Sequence, residues 1–218
     1  MPSAGRITTM QPRAARTRQA LVSAAAGEFD RNGYSGASLS RVSRAAGVSV
    51  GALTFHFSNK EELAVAVREQ GGAATTTLVA AVTARREESV QAVVSLTLAL
   101  TGLLESDVAV RAAARLAREQ SGEPDWFSAW VPAIHQQLRH AHEGQLGTVT
   151  DRAAVAALAT HLVTGAEITI RQRARRHNLT AGQSVAELTR IWEMVRGGFA
   201  ALRGDADVKD HRGDQRCG

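Results

Sequence analysis

The chain has 218 residues, of which 44% are hydrophobic and only 4% aromatic, and its 26 lysines and arginines outnumber its 21 aspartates and glutamates. This length allows one large domain or two small ones, and the composition favours helices over a β-sandwich. The single cysteine, Cys217, excludes an intrachain disulfide framework and a cysteine-based zinc site. Because we find no secretory signal pattern and no run of about 18 apolar residues, we expect a soluble, cytoplasmic protein without a membrane partner.

Basic residues concentrate at the start of the chain, where residues 1–12 are predicted to form a flexible basic arm. Seven arginines precede residue 45: Arg6, Arg13, Arg16, Arg18, Arg31, Arg41 and Arg44. The first helix follows, with apolar residues from Leu21 to Phe29 at spacings of three and four. Gly33 is expected to end it, because glycine accepts the left-handed conformation of a helix terminus. The formal net charge of +5 suits a polyanionic partner.

Two short helices then follow with the spacing of a helix-turn-helix unit. Ser38 can cap a helix that ends at Gly47. Ser49 can cap the next helix, over residues 50–55. Three residues between consecutive helices is typical of this motif. Such a unit lays its second helix in the major groove of DNA.

A fourth helix is predicted to start at a capping box, since Ser58 and Asn59 each have a glutamate three positions on. We expect Gly71 and Gly72 to break this helix and to mark a domain boundary. The predicted organisation is a helix-turn-helix DNA-binding domain over 13–70, a ligand-binding and dimerisation domain over 73–203, and a disordered tail over 204–218.

The second domain is predicted to be a helical bundle, without strands. Its expected elements are an apolar helix over 90–104, a helix capped by Asp107, a turn at 122–124, a helix over 126–145 with Pro132 in its first turn, a long helix from Asp151, and a last helix with a Ser184–Glu187 capping box. The fold class is therefore all-α.

Residues suited to DNA contact cluster around the helix-turn-helix unit. Arginines can neutralise phosphates, and serines at a helix N-terminus can donate to them. We predict DNA contacts for Arg16, Ser38, Ser40, Arg41, Ser49, Val50, Gly51, Thr54, His56 and Lys60. Phe55 and Phe57 are expected to be core residues that hold the recognition helix. The alternative is a small helical subdomain whose arginines are merely solvated.

The segment from Ala46 to Leu63, AGVSVGALTFHFSNKEEL, resembles the N-terminal domain of TetR-family transcriptional regulators. The first helix, over 17–34, and the RLAREQ segment, over 115–120, are similar to those of the γ-butyrolactone receptors of Streptomyces. The resemblance implies an N-terminal three-helix DNA-binding domain and a C-terminal helical bundle. That family usually has lysine or arginine where Val50 stands, and tyrosine where Thr54 stands. These departures imply weaker phosphate anchoring or a different operator.

The resemblance also implies a ligand cavity between helices and a homodimer built from the last two long helices. Trp130 matches the tryptophan that lines the receptor pocket, and Thr164 matches a threonine facing it. Further wall residues are expected to be Trp126, Phe127, Leu98, Val110, Ala113, Leu116, Ile134, His161 and Ile168. The alternative is that Trp130 fills the bundle core and Thr164 bonds within its own helix. Glu167 is expected either on the pocket face or at the dimer surface.

These observations lead to a ligand-responsive repressor as the first hypothesis. A dimer would bind a palindromic operator in double-stranded DNA and leave it when a small γ-butyrolactone-like signal binds, in the control of secondary metabolism. The alternatives are a pseudo-receptor for an antibiotic or biosynthetic intermediate, and a ligand-binding protein with weakened DNA binding. An enzyme is disfavoured, because no metal-ligand, P-loop, G-x-S-x-G or dinucleotide pattern occurs, and no cofactor or metal is expected.

Overall fold

The computed structural model describes residues 10–85, 87–120, 125–139 and 149–213, and no strand occurs within these ranges. The elements are α1 (Met10–Gly36), α2 (Leu39–Ala45), α3 (Val50–His56), α4 (Lys60–Thr83), α5 (Ser89–Ser106), α6 (Val108–Glu119), a 3-10 helix (Trp126–Ala129), α7 (Val131–Arg139), α8 (Val149–Arg175) and α9 (Gln183–Gly213). The all-α fold class, with an N-terminal helix-turn-helix unit and a C-terminal helical bundle, is confirmed.

The N-terminal unit packs α1, α2, α3 and the first half of α4 around one apolar cluster. Its fully buried members include Leu21, Phe29, Leu53, Leu63 and Val67. Gly33 interrupts α1 with a φ of 71° and a ψ of 180°, as predicted, and one further turn follows. Burying these side chains, at about 1.5–3 kcal/mol for each large one, holds the short helices that could not form alone.

The predicted helix caps of this unit are confirmed. The hydroxyl of Ser38 accepts a hydrogen bond from the N–H of Arg41, and the hydroxyl of Ser49 accepts one from Ala52. At the start of α4, the Asn59 side chain accepts from the N–H of Glu62 at 2.9 Å. Each cap satisfies a donor that the first helical turn leaves free, and so fixes where α2, α3 and α4 begin.

The predicted break of α4 at Gly71 and Gly72 is wrong, because the helix runs through both glycines to Thr83. The physical reason is a close approach to α6. A Cβ on Gly71 would stand 2.6 Å from the carbonyl oxygen of Ala109 and 2.6 Å from the Cβ of Ala113. Gly71 therefore allows the close packing of α4 against α6. As a result, α4 is one continuous helix that belongs to both units.

The C-terminal bundle places α5 at its centre, in contact with α4, α7, α8 and α9. The buried cluster around it includes Leu96, Leu100, Trp130, Val163 and Trp192. By length and composition alone, α5 and the part of α8 from Arg152 to Arg175 are apolar enough to cross a membrane, a test that core helices of soluble proteins also pass. Half of the α5 window is buried in the fold, against 33% of the α8 window, so α8 retains an exposed apolar face.

The ends of the elements differ from prediction in several places. α1 already includes residues 10–12 of the predicted arm, and α9 continues to Gly213 through the start of the predicted disordered tail. The predicted turn at 122–124, the helix at 140–145, residues 1–9 and residues 214–218 lie outside the described residues. The predicted helix at 126–139 is a 3-10 turn followed by α7, with Pro132 in the first turn of α7 as expected.

The expected Ser184–Glu187 capping box is wrong. The carboxylate of Glu105, at the end of α5, accepts hydrogen bonds from the N–H groups of Gly182 and Ser184 at 2.6 Å each. Glu187 instead forms a bidentate pair with Arg173, at 2.8 and 2.9 Å. The N-terminus of α9 is therefore capped by a distant helix, which a local sequence pattern does not reveal.

Candidate DNA-binding face and ligand pocket

The helix α3 presents a row of small side chains to solvent. Leu53 is fully buried and anchors the helix, while Val50 is 47% exposed and Gly51 and Thr54 are exposed beside it. The hydroxyl of Thr54 donates to the carbonyl of Gly51 at 3.0 Å, which leaves the methyl group free. The predicted outward orientation of these residues is confirmed, and their contact with DNA stays a prediction.

Phe55 is a residue that the sequence analysis misplaced. Its side chain is 83% exposed, whereas Phe57 is only 2% exposed and is part of the core as expected. Leu53 marks the inner side of α3, and Phe55, two residues and so about 200° further around the helix, faces outward. The helical period of 3.6 residues therefore already predicts, from the sequence, that Phe55 is exposed. Phe55 extends the exposed row. Its ring lies edge-on to the ring of His56, with the two ring centres 5.3 Å apart.

The start of α2 is organised by polar contacts within the protein. The hydroxyls of Ser38 and Ser40 lie 3.3 Å apart, and Ser38 also caps the helix. The guanidinium of Arg41 pairs with the carboxylate of Glu28 and donates to the carbonyl of Gly36. Arg41 is thus not a freely mobile cation, although 48% of its side chain is exposed.

Lys60 has a structural role that the sequence did not predict. Its ammonium donates to the carbonyl of Tyr34 at 2.9 Å and to that of Ala37 at 3.4 Å, and stands 4.3 Å from the centre of the Tyr34 ring. It ties the start of α4 to the end of α1, so a phosphate would compete with these contacts. Arg16 is exposed on the N-terminal half of α1, and His56 is half-buried.

The aromatic residues at the start of the second domain form one cluster, as predicted. The ring centres of Trp126 and Phe127, and of Trp126 and Trp130, are 5.4 Å apart, and those of Phe127 and Trp130 are 6.0 Å apart. The indole N–H of Trp126 donates to the hydroxyl of Thr75 at 2.9 Å. Trp130 is fully buried, and its N–H has no hydrogen-bond partner among the described residues.

Most of the predicted wall residues belong to the apolar cluster around Trp130. These are Leu98, Val110, Ala113, Trp126, Phe127 and Ile134, while Leu116 belongs to the N-terminal cluster instead. His161 and Ile168 are misplaced in the prediction: His161 is exposed, and neither residue joins the cluster. On α8 the core side is marked by Val155, Ala159 and Val163, and at about 100° per residue His161 and Ile168 fall on the opposite side.

Thr164 shows the local bonding that the alternative interpretation expected. Its hydroxyl donates to the carbonyl of Thr160 at 2.9 Å, one turn earlier on α8. The side chain of Glu167 is 1% exposed. Its Oε2 lies 2.6 Å from Nη2 of Arg118, and its Oε1 lies 3.2 Å from Nε of Arg171. Burial raises the pKa of Glu167 above its usual range, although both arginines act to lower it. Its carboxylate therefore joins α8 to α6 through Arg118.

Residues 21–67 match the model of the bacterial regulatory proteins of the tetR family. The chain is 30% identical to a γ-butyrolactone receptor (ArpA-like protein) of known structure, with a TM-score of 0.64 over 84% of this chain and 87% of that chain. The chain belongs to the TetR family.

Other relatives point to the same group. CprB from Streptomyces coelicolor, solved in complex with its biological operator sequence, is 28% identical, with a TM-score of 0.66 over 84% of this chain and 88% of that chain. The A-factor receptor protein of Streptomyces griseus is 45% identical over 60 residues, which are 28% of this chain and 22% of that protein. The match thus spans about a fifth of that relative's length. This chain is therefore a TetR-family regulator related to the γ-butyrolactone receptors.

In this TetR-family chain, α6 connects the DNA-binding unit to the bundle. The carboxylate of Asp30 on α1 accepts from the Nε of Arg111 at 3.1 Å, and the carbonyl of Asp30 accepts from Arg115 at 2.9 Å. Asp30 and Arg111 are each only 6% exposed. Removing one partner of a buried pair of this kind is costly, so the contacts of Asp30 hold α1 against α6.

Proposed function

We propose that this protein is a repressor that binds a palindromic operator as a homodimer and is released by a small γ-butyrolactone-like signal, in the cytoplasm. The observation that carries the proposal is the exposed row of Val50, Gly51, Thr54 and Phe55 on a helix capped and anchored within a helix-turn-helix unit. Its apolar surface suits the methyl groups of thymine in a major groove. The operator complex solved for CprB supports DNA as the partner.

A dimer is supported by the surfaces of α8 and α9 that the bundle leaves uncovered. On α8 the side away from the core holds His161, Gly165 and Ile168. On α9 Met194 is 69% exposed, and a Cβ added to Gly197 would meet nothing within 4 Å. A second copy can bury these faces by the same contacts on both sides. Two α3 helices would then stand about 34 Å apart, one turn of DNA.

The ligand part of the proposal depends on Trp130. A buried N–H without a partner costs about 1–3 kcal/mol, and a ligand carbonyl that accepts from it removes that cost. A lactone supplies such a carbonyl together with an apolar body, which suits the surrounding apolar and aromatic side chains. Trp126 touches the same cluster and bonds Thr75 on α4, so a change in the cluster reaches the helix that leads to the DNA-binding unit.

The pseudo-receptor alternative loses one of its supports. Glu167 does not offer a free acceptor to a donor-bearing antibiotic, because its carboxylate pairs with Arg118 and Arg171. Val50 and Thr54 still separate this chain from the family pattern at the DNA face. Within the described residues no group of three or more His, Cys, Asp or Glu could hold a metal ion.

The DNA-binding proposal is tested with the full chain by selecting bound sequences from random duplexes and measuring mobility shifts at several salt concentrations. We expect a palindromic site, two protomers per site and an affinity that falls steeply with salt. Met194→Glu should dissociate the dimer in sedimentation and abolish the shift. Ala80→Glu, at an exposed position of α4, is the control and should change neither. A monomer that still binds the palindrome with full affinity would exclude the dimer model.

The ligand proposal is tested by thermal shift and by release of the bound duplex. Alkyl γ-butyrolactones are expected to raise the melting temperature and to release the DNA, because a ligand of the folded state stabilises it. The matched probe is the corresponding cyclic ether, which has the same ring without the carbonyl. Antibiotics of the same size form the third arm. Equal shifts with lactone and ether would contradict the role of the Trp130 N–H.

A further inference from the structure

A cleft lies away from the aromatic cluster, where the end of α1, the first turns of α6 and the last turns of α8 meet. This cleft has a volume of about 600 Å³. Its lining includes Asp30, Arg31, Arg111, Arg171, Arg175 and His177. Four arginines thus face one carboxylate, and the cleft, which we call the junction cleft, is strongly cationic.

Internal pairing does not account for all of this charge. The carboxylate of Asp30 already forms an ion pair with Arg111. The guanidinium of Arg111 also donates to the carbonyl of Leu104 at 2.8 Å. No ion pair within the described ranges joins Arg31 or Arg175 to a carboxylate. Among the hydrogen bonds of the described residues, Arg175 donates only to the backbone carbonyl of Arg31.

Helix dipoles do not explain the cluster either. Arg171, Arg175 and His177 lie at the C-terminal end of α8, where cations are favourable. Arg111, however, lies near the N-terminal end of α6, where the helix dipole opposes a cation. Burial lowers the pKa of Arg171; Glu167 acts to raise it, and the neighbouring Arg118, Arg115 and Arg175 act to lower it further.

Two local features add to the charge. Oδ1 of Asp30 is buried and has no hydrogen-bond partner in the part of the chain that the structure describes. His177 has a φ of 56°, a left-handed conformation that glycine usually occupies at this place after a helix. Its backbone N–H donates to the carbonyl of Ala174 at 3.2 Å, which holds the turn that brings His177 to the lining of the cleft.

We propose that the junction cleft binds a small phosphate ester that carries hydroxyl groups, such as a sugar phosphate. The phosphate pairs with the guanidinium groups of Arg31 and Arg175, whose planar donors match phosphate oxygens, with His177 beside them. A hydroxyl of the ligand donates to Oδ1 of Asp30. The volume of the cleft lies in the range of small-molecule sites and exceeds what inorganic phosphate fills.

Such a ligand would touch both parts of the protein. Asp30 and Arg31 belong to α1 of the DNA-binding unit, and Arg175 belongs to α8 of the bundle. A molecule held between them favours one relative position of the two units. By linkage, it would then change the affinity for DNA by the same factor by which DNA changes its own affinity.

The test is calorimetric titration of the full chain, without DNA or lactone, at constant ionic strength. The probes are ribose 5-phosphate, inorganic phosphate and ribose. We expect ribose 5-phosphate to bind more tightly than phosphate, and ribose not to bind. The double variant Arg31→Ala, Arg175→Ala should weaken ribose 5-phosphate binding about tenfold or more, because two charge-assisted contacts are lost. Both side chains are exposed, so this variant should fold.

Arg176→Ala is the matched control, since Arg176 is an exposed arginine next to Arg175 that does not line the junction cleft. It should retain the wild-type affinity. Equal binding of ribose 5-phosphate by wild type and double variant, or equal binding of ribose 5-phosphate and inorganic phosphate, would overturn the proposal. So would a titration in which neither ribose 5-phosphate nor inorganic phosphate binds the wild-type protein. Because the titration contains no operator, its outcome is independent of the repressor proposal.

Discussion

The carboxylate of Glu119 accepts a hydrogen bond from the backbone N–H of Tyr34 at 2.8 Å, which ties the end of α6 to the interruption of α1. The same carboxylate accepts from the Nε of Arg115 at 2.5 Å, and Arg115 in turn donates to the carbonyl of Asp30. Two of these three contacts join residues 85 positions apart in sequence, and the third, between Arg115 and Glu119, lies within α6. These contacts hold the end of α6 against α1 of the N-terminal unit.

Glu119→Gln is expected to weaken these contacts in a pH-dependent way. Burial raises the pKa of Glu119, but hydrogen bonds from Arg115 and from the N–H of Tyr34 outweigh it, and the net pKa is below the ordinary 4.5. A carboxyl with a lowered pKa in the folded state contributes stability above its unfolded pKa, and loses it as the pH falls through the folded value. At neutral pH the variant should lose about 1 kcal/mol of unfolding free energy.

Urea denaturation at pH 7 and at intervals down to about pH 3.5 measures this effect. The difference between wild type and variant should shrink below pH 4.5, as the wild-type carboxylate becomes protonated. Glu69→Gln, at an exposed position of α4, is the control and should show a small difference. A loss of stability that stays constant over the whole pH range would contradict the assigned role of the Glu119 charge.

Local chemistry made much of the fold predictable. The caps at Ser38, Ser49 and Asp107 each join a side chain to an N–H two or three residues away, so the sequence alone identifies them. Contacts between distant segments were not predictable in this way. Glu105 caps α9 from 77 residues away, and Gly71 serves a helix crossing that the sequence around it does not describe.

The two adjacent glycines of α4 should respond to alanine in opposite directions. Gly71→Ala places a methyl 2.6 Å from the carbonyl oxygen of Ala109, so the α4–α6 crossing must open, at a cost of about 1–3 kcal/mol. Gly72→Ala meets nothing within 4 Å and should stabilise the helix by about 0.5–1 kcal/mol. Urea midpoints of both variants measure the contrast. Stabilisation by Gly71→Ala would mean that the crossing is looser than described.

The candidate site was predictable to a similar extent. The outward row on α3 follows from helix caps and spacing, which are local, and the same spacing should have excluded Phe55 from the core. His161 was placed by resemblance alone, although its position opposite Val163 and Ala159 on α8 excludes it from the cluster around Trp130. The missing hydrogen bond of Trp130 depends on three-dimensional packing, which no sequence pattern contains.

Trp126 and Trp130 offer a matched pair of substitutions. Trp126→Phe removes the hydrogen bond to Thr75, whereas Trp130→Phe removes an N–H that has no partner among the described residues. Both lose similar volume, so Trp126→Phe should be the less stable by about 1 kcal/mol. Trp130→Phe should instead reduce the thermal shift produced by alkyl γ-butyrolactones. Equal stability of the two variants, or a full lactone shift in Trp130→Phe, would contradict this assignment.

Phe55 is the strongest test of the DNA-binding face, because its exposed ring contributes little to folding. Phe55→Ala should leave the urea midpoint unchanged, since 83% of the side chain is in solvent. Its operator affinity should fall about tenfold, equivalent to about 1.4 kcal/mol, through loss of apolar contact in the major groove. Val108→Ala, at an exposed valine of α6, is the control and should bind like wild type. Because the ring carries no charge, the slope of affinity against salt should be the same in wild type and Phe55→Ala. A changed slope would mean that the substitution had shifted the arginines around the site, and an unchanged affinity would remove Phe55 from the DNA-binding face.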